Sequence, residues 1–369
     1  MLILKTFVSM FETILIADYE PMASCIRKTC EELEIDAFYL PSKKIYSDPN
    51  KIIEAATKRH VDAIHPGSNP MAYNPILAEL CEDNGIVYIG QTSRTLRRIN
   101  KSASFNENSL KNSRYVEVQL LAKEGSIINL GERECLVRVG QENVMKETPS
   151  YRMTDDSRKE VVKRAVQQAI DYECTNAFSV EFLFDKNNLI TSRIIPRIQP
   201  GYSITELVTG VDIVKLSIKI AADEKLDYRP EDIKFRGHAL YLKIRYKGKP
   251  TGYIPLGGPG VRINIHPDPE FNVPLLSSSS TELSIWGINR QEVIERMRWV
   301  FPELERGLKK VKNNVSFHKS IFENCFIPDN WSPSFIQKNI AELYPVDSTQ
   351  TLKIKRKVGK INPWTRRRM

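Results

Sequence analysis

Between residues 12 and 91, short apolar runs rich in β-branched residues alternate with stretches whose apolar positions recur at helical spacing. Residues 13–17 (TILIA), 37–40, 61–65 and 86–89 read as buried strands, and residues 23–33, 52–59 and 76–82 as amphipathic helices. Strands alternating with helices imply a parallel sheet covered by helices. Residues 102–113 (SASFNENSLKNS) are polar, rich in Asn and Ser, and without apolar period, which reads as a linker. Beyond it the pattern changes. Residues 116–121 and 126–130 predict adjacent strands around a turn at Gly125, residues 157–172 a long helix, and residues 178–184 and 189–198 a hairpin across residues 185–188. A helix over 210–222, strands over 239–245 and 260–265, and helices over 291–303 and 318–323 follow. The expected class is α/β, with an N-terminal parallel-sheet domain and a mixed second part whose sheet is largely antiparallel. No internal repeat is evident.

Composition narrows the picture. At 369 residues the chain exceeds what one core usually fills, and 41% hydrophobic residues suffice for packed cores, which excludes a disordered or collagenous chain. No run approaches the roughly twenty apolar residues that cross a bilayer, and residues 1–10 lack a signal peptide's pattern, so a soluble, cytoplasmic protein without membrane contact is expected. The six cysteines are scattered without a CxxC pair, which suggests neither a zinc site nor a disulfide framework. The net charge of +9 is concentrated in a basic tail. Residues 346–369 hold eight basic residues against Asp347, while the remaining chain carries 46 basic and 44 acidic residues. Nucleic-acid binding is therefore not expected except through that tail.

The familiar catalytic signatures are missing: there is no GxxxxGKS or GxxxxGKT loop, no GxGxxG, no HExxH and no GxSxG. The Gly257-Gly258-Pro259-Gly260 run reads as a turn entering a strand. Less conspicuous segments carry more. Ala63-Ile64-His65-Pro66-Gly67, Tyr88-Ile89-Gly90, Lys101, the run from Arg114 to Gln119 and Glu132-Arg133-Glu134-Cys135 occur in an order that resembles the biotin carboxylase family. That family comprises the ATP-grasp components of acetyl-, propionyl-, methylcrotonyl-CoA and pyruvate carboxylases. Glu181-Phe182-Leu183-Phe184, Arg197-Ile198-Gln199, the run from Thr205 to Asp212, Arg236-Gly237-His238-Ala239 and Gly260-Val261-Arg262 extend the resemblance to residues 11–344.

The resemblance implies a Rossmann-like, pre-ATP-grasp domain over 11–101, the linker over 102–113 in place of the mobile lid, an ATP-grasp C-terminal half over 114–226 and a biotin carboxylase C-terminal-like region over 227–345. Residues 1–10 form an extension and 346–369 the tail. It further implies a family chemistry that uses ATP, Mg²⁺ and biotin. Lys101 matches a lysine at the nucleotide phosphates and Glu181 one of two glutamates that bind Mg²⁺. Arg197 and Gln199 match residues around bicarbonate, and Arg262 an arginine at the biotin ureido oxygen.

This chain departs from that pattern at several positions. Arg193 stands where the second magnesium glutamate belongs, Ile195 where an asparagine does, Gly201 at the proposed bicarbonate base, and Asn143 at a bicarbonate-contacting lysine. Arg138, Gln141 and Tyr115 replace nucleotide-site residues, and the run Ser277 to Ser280 replaces an acidic and a basic residue near the subunit interface. The lid should lie between the positions of Lys101 and Arg114, yet only residues 102–113 join them, and no glycine occurs from Gln91 to Glu124. Twelve residues build no domain, and a phosphate-cradling loop normally needs glycine.

Each surviving residue also has a structural reading. Glu181 and Arg197 are expected to pair as a salt bridge that Arg193 extends, Lys101 to be solvated, His65 to hold the HPG turn, and Arg262 to pair with an acid. The reading that follows is a biotin carboxylase-like protein without catalysis, acting as a scaffold or regulatory subunit. It binds no cofactor tightly, and its partners are a biotin carboxylase subunit, a biotin carrier protein or a second copy. The rivals are an active ATP-dependent ligase or nucleotide-binding protein with a rewired site, a binding module using the tail, and a duplicated gene in decay.

Overall fold

The computed structural model describes residues 11–19, 21–40, 45–102, 114–139, 142–185, 188–224, 228–247, 257–264 and 279–327. The expectations for residues 1–10, the linker after Ser102, Gln141, Ser277, Ser278 and the basic tail lie outside them. Four strands, β1 (Thr13–Ile16), β2 (Asp36–Tyr39), β3 (Ala63–His65) and β4 (Val87–Tyr88), form a parallel sheet in the order β2-β1-β3-β4. Helices α1 (Met22–Glu32), α2 (Pro49–Lys58), α3 (Pro75–Asp83) and α4 (Ser93–Ser102) connect or follow them. The starts of α2 and α3 are written in the sequence: Asp48 and Asn74 accept from backbone N–H groups of the first turn, and Pro49 and Pro75 stand just inside. Sequence periodicity missed α4, whose arginine-rich run hides the apolar stripe of Leu96 and Ile99.

The second unit is a nine-stranded antiparallel sheet. Its members are β5 (Arg114–Lys123), β6 (Ser126–Val139), β7 (Glu142–Thr148), β8 (Asn176–Asp185), β9 (Asn188–Ile195), β10 (His238–Lys247), β11 (Val261–Asn264), β12 (Ser279–Gly287) and β13 (Lys312–Asn313). The order is β11-β12-β10-β7-β6-β5-β8-β9, with β13 on β10. Helices α5 (Asp155–Asp171), α6 (Tyr202–Thr209), α7 (Ile213–Ala221), α8 (Arg290–Gly307) and α9 (Val315–Ile321) pack on it.

Three expectations need correction. The helix expected over 210–222 is α7 and starts three residues later, because Asp212 caps it by accepting from Lys215 N–H at 2.8 Å, while α6, which Gly210 ends at φ +72°, was not expected. Strand β9 stops at Ile195, so Arg197 lies beyond the hairpin. Strands β7 and β12 escaped notice because charged and hydroxyl residues fill their inward positions, such as Lys146 and Ser284.

Both faces of the large sheet are covered. Val116, Val118, Leu120, Phe178, Val180 and Phe182 pack on Val161, Ala165 and Ala169 of α5. A different core joins the two sheets, running from Ile14, Ile16 and Ile26 to Ile213, Val214 and Ile218 of α7. Side-chain caps extend the join: Gln91 donates to the Thr175 carbonyl and accepts from Thr175 N–H at 2.9 Å.

Candidate functional site

Because β5 alternates, placing Val116 and Val118 against α5 turns Glu117 and Gln119 to the opposite face. Pairing register then aligns Arg193, Glu181, Glu117 and Arg133 in one row across β9, β8, β5 and β6. Glu181 is 2%, Glu117 3% and Arg133 0% exposed. Two buried carboxylates set opposite each other repel, and protein cations answer both. Arg193 Nε and Nη2 lie 2.7 and 2.5 Å from Glu181 Oε2. Arg133 Nε and Lys146 Nζ each lie 2.6 Å from Glu117 Oε1, and Gln199 Nε2 donates to Glu117 Oε2 at 2.9 Å.

The donors are spent as fully as the acceptors. Arg133 donates also to Thr205 Oγ1 at 2.7 Å and Gln119 Oε1 at 3.0 Å, and Lys146 to the Pro200 carbonyl at 2.8 Å. Burial raises Glu117, but Arg133 and Lys146 overcome it and hold the carboxyl below the usual range. Burial draws Lys146 below the usual lysine range against the pull of Glu117. Gly201 starts α6 at φ +90°, and an added Cβ there would lie 3.0 Å from Lys146 Cδ. Thus the lysine stem fills the space beside a position that offers no proton acceptor.

The other expected residues scatter. Arg197 does not pair with Glu181, contrary to expectation, because the chain has left β9 two residues earlier. Its Nη1 donates to the Ser68 carbonyl, its Nε to Tyr73 Oη at 3.4 Å, and its guanidinium lies 5.5 Å from the Tyr73 ring centre. It therefore ties the second unit to the first. Beneath it Asp18 accepts from Ser68 N–H at 2.5 Å, Ser68 Oγ at 3.0 Å and Tyr19 N–H at 2.7 Å. Burial pushes Asp18 up to about 7, although these donors and Arg197 pull it down.

Arg262 lies on β11, at the opposite end of the sheet order from Arg193 on β9, and pairs with the buried Glu206 of α6 at 2.5 Å. Burial prevails over that guanidinium and brings Glu206 to about 7. Lys101 is exposed at the end of α4, with no ion pair among the described residues. His65 is 2% exposed and its Nδ1 accepts from Gly67 N–H at 3.0 Å, which is the turn role expected of it. Tyr115 lies under the Arg138 guanidinium at 4.6 Å, and Asn143 Oδ1 accepts from Cys135 Sγ at 3.2 Å.

Arg133 and Lys146 were not singled out individually from the sequence. Their signal is a charge inside a strand, Arg133 between Glu132 and Glu134 and Lys146 between Met145 and Glu147, and that pattern marks burial only after the register is known.

These contacts decide whether the face fits the family's metal. A divalent cation takes carboxylate oxygens that are otherwise free to coordinate it. Here Glu181 Oε2 and both Glu117 oxygens already accept from protein donors, and among the described residues no three His, Cys, Asp or Glu side chains converge on one point. The residues present do not fit Mg²⁺.

Two comparisons bear on ancestry. Residues 36–96 match the family described as biotin carboxylase, N-terminal domain, and residues 87–229 the carbamoyl-phosphate synthase L chain, ATP binding domain. The chain is 26% identical to a biotin carboxylase of Nostoc, covering 89% of this chain and 99% of that protein. It is 29% identical to a pyruvate carboxylase subunit from Methanothermobacter thermautotrophicus, covering 85% and 87%. The chain belongs to the biotin carboxylase family. The Nostoc alignment runs over 444 residues, longer than this chain, so the relative carries segments with no counterpart here. The family's fold is retained. The biotin carboxylase domain dimer of Hydrogenobacter thermophilus 2-oxoglutarate carboxylase superposes with a TM-score of 0.77 at 22% identity, covering 90% of this chain and 98% of that one. A solved biotin carboxylase subunit of pyruvate carboxylase gives 0.76, covering 92% and 100%.

Proposed function

We propose that this protein is a biotin carboxylase-like subunit without carboxylase activity of its own, keeping the family's fold as a docking partner for an active biotin carboxylase or biotin carrier protein. The observation that carries this reading is the join between α4 and β5, where residues 103–113 stand alone in the position at which the family resemblance puts a phosphate-covering lid. Phosphoryl transfer draws its acceleration from positioned charges in a site closed to water. An uncovered nucleotide forfeits that closure. The contacts of Glu181, Gln199 and Arg262 support the same reading, because each is committed to a group of this chain.

A docking role draws on the relatives. One of the solved structures that this chain resembles is a dimer of biotin carboxylase domains, and one of its relatives is a named subunit of pyruvate carboxylase. The test is a calorimetric titration of the full chain with ATP, with and without Mg²⁺, followed by an ATP-cleavage assay with free biotin. No heat at millimolar nucleotide and no cleavage are expected. Saturable Mg²⁺-dependent binding with biotin-dependent cleavage overturns the reading in favour of an active ligase. Co-elution with a biotin carboxylase in gel filtration tests the docking half separately.

A further inference from the structure

Two buried carboxylates meet across β5 and β8, where Glu117 stands opposite Glu181. Such a pair repels itself and must recruit positive charge, which a protein supplies either with a bound divalent cation or with its own side chains. Glu117 has Arg133 and Lys146, both fully buried. Among the described residues Glu181 forms an ion pair with one cation, Arg193, on the edge strand β9.

We propose that Arg193 is a resident counter-cation that closes the Glu181–Glu117 pair to divalent metal ions, so that this face holds its charge balance without any metal. The two ends of the row differ in a way that supports this. Arg133 is fixed by four side-chain acceptors in the interior, whereas the Arg193 side chain is 27% exposed and grips Glu181 from the open side. From that side a hydrated cation would approach. A guanidinium in that position offers the carboxylate a planar, two-nitrogen partner and repels a second cation. Replacing it with a carboxylate would put two acids on the edge of the row with nothing between them, the arrangement that binds a hard cation.

The inference rests on the reading above only in treating this face as the site. Its test is Mn²⁺ binding to the full chain, followed by electron paramagnetic resonance. Wild type is expected to show no saturable binding that Glu181→Gln removes. Arg193→Glu is expected to bind Mn²⁺ at least about tenfold more tightly, with the gain lost when Glu181→Gln is added. Mn²⁺ held by Glu181 in wild type overturns the proposal, and so does an Arg193→Glu protein that keeps its near-ultraviolet circular dichroism and gains no binding. Should Arg193→Glu lose that spectrum, the wild-type unfolding midpoint decides: unchanged by EDTA or millimolar Mg²⁺ supports the proposal, and a rise with Mg²⁺ overturns it. ATP cleavage without Mn²⁺ on Glu181 would instead overturn the functional reading alone.

Discussion

Individual side chains are the level at which this face has been rewritten. Where a bound cation would neutralise carboxylates, three protein cations do so, and Arg133 and Lys146 are held by further hydrogen bonds that leave their donors little freedom. Removing one partner of a buried ion pair leaves a charge unanswered and typically costs about 3–5 kcal/mol. Asp18 shows the opposite situation, a buried carboxyl with no cation close enough to outweigh burial. Its folded value near 7 lies above the ordinary 3.8, so between those limits the folded protein keeps a proton that the unfolded chain has released. Its contribution to stability is therefore fully present below about 4, falls as pH rises through the window, and is flat above about 7. Asp18→Asn removes that slope while keeping the shape. Urea unfolding from pH 4 to 8 should show wild type losing stability relative to the variant as pH rises, by a few kcal/mol in order of magnitude. Parallel curves would refute the assignment.

At the level of elements, the strands explain how charges come to be buried at all. Since β5 is covered on both faces, its alternate residues split into an apolar set against α5 and an opposite set that buries Glu117 and Gln119, and buried polar groups are tolerated there only when fully bonded. Turns that bring the strands into register are equally demanding. Gly237 precedes β10 at φ +76°, and an added Cβ would fall 2.2 Å from the Gly287 carbonyl oxygen. Gly85, at φ +68°, has open space around the same atom. Both positions strain an L-residue, but one also forces backbone apart. Gly85→Ala should cost about 1 kcal/mol and Gly237→Ala distinctly more, by thermal unfolding of the two variants side by side. Equal losses would mean that the β10–β12 end yields easily.

Across the whole molecule, the two sheets act as one body because an apolar core crosses between them and polar ties reinforce it. Arg197 is one of these ties, reaching from the segment after β9 to Ser68 and Tyr73 beside the HPG turn. A residue matched by family resemblance to an anion site is thus employed as a rivet. Arg197→Ala should raise amide hydrogen exchange over residues 66–74 by about tenfold or more while leaving the β5–β8 core protected. Unchanged exchange there would show that the apolar core alone holds the units together.

The sequence by itself determined the α/β unit at the start, the hairpin of β8 and β9, the HPG turn and the family, because these depend on local period, turn chemistry and the order of short segments. It also located the positions where chemistry had changed, such as Arg193 and Gly201. What those residues touch was decided only in three dimensions. Arg197 was expected beside Glu181 from its nearness in the chain, but the end of β9 at Ile195 sends it to the other unit. Arg193 meets Glu181, and Lys146 meets Glu117, through strand register, which one residue of slip would turn to the opposite face. A buried charge and a solvated one look alike in a sequence, and only packing removes the water that makes the difference between them.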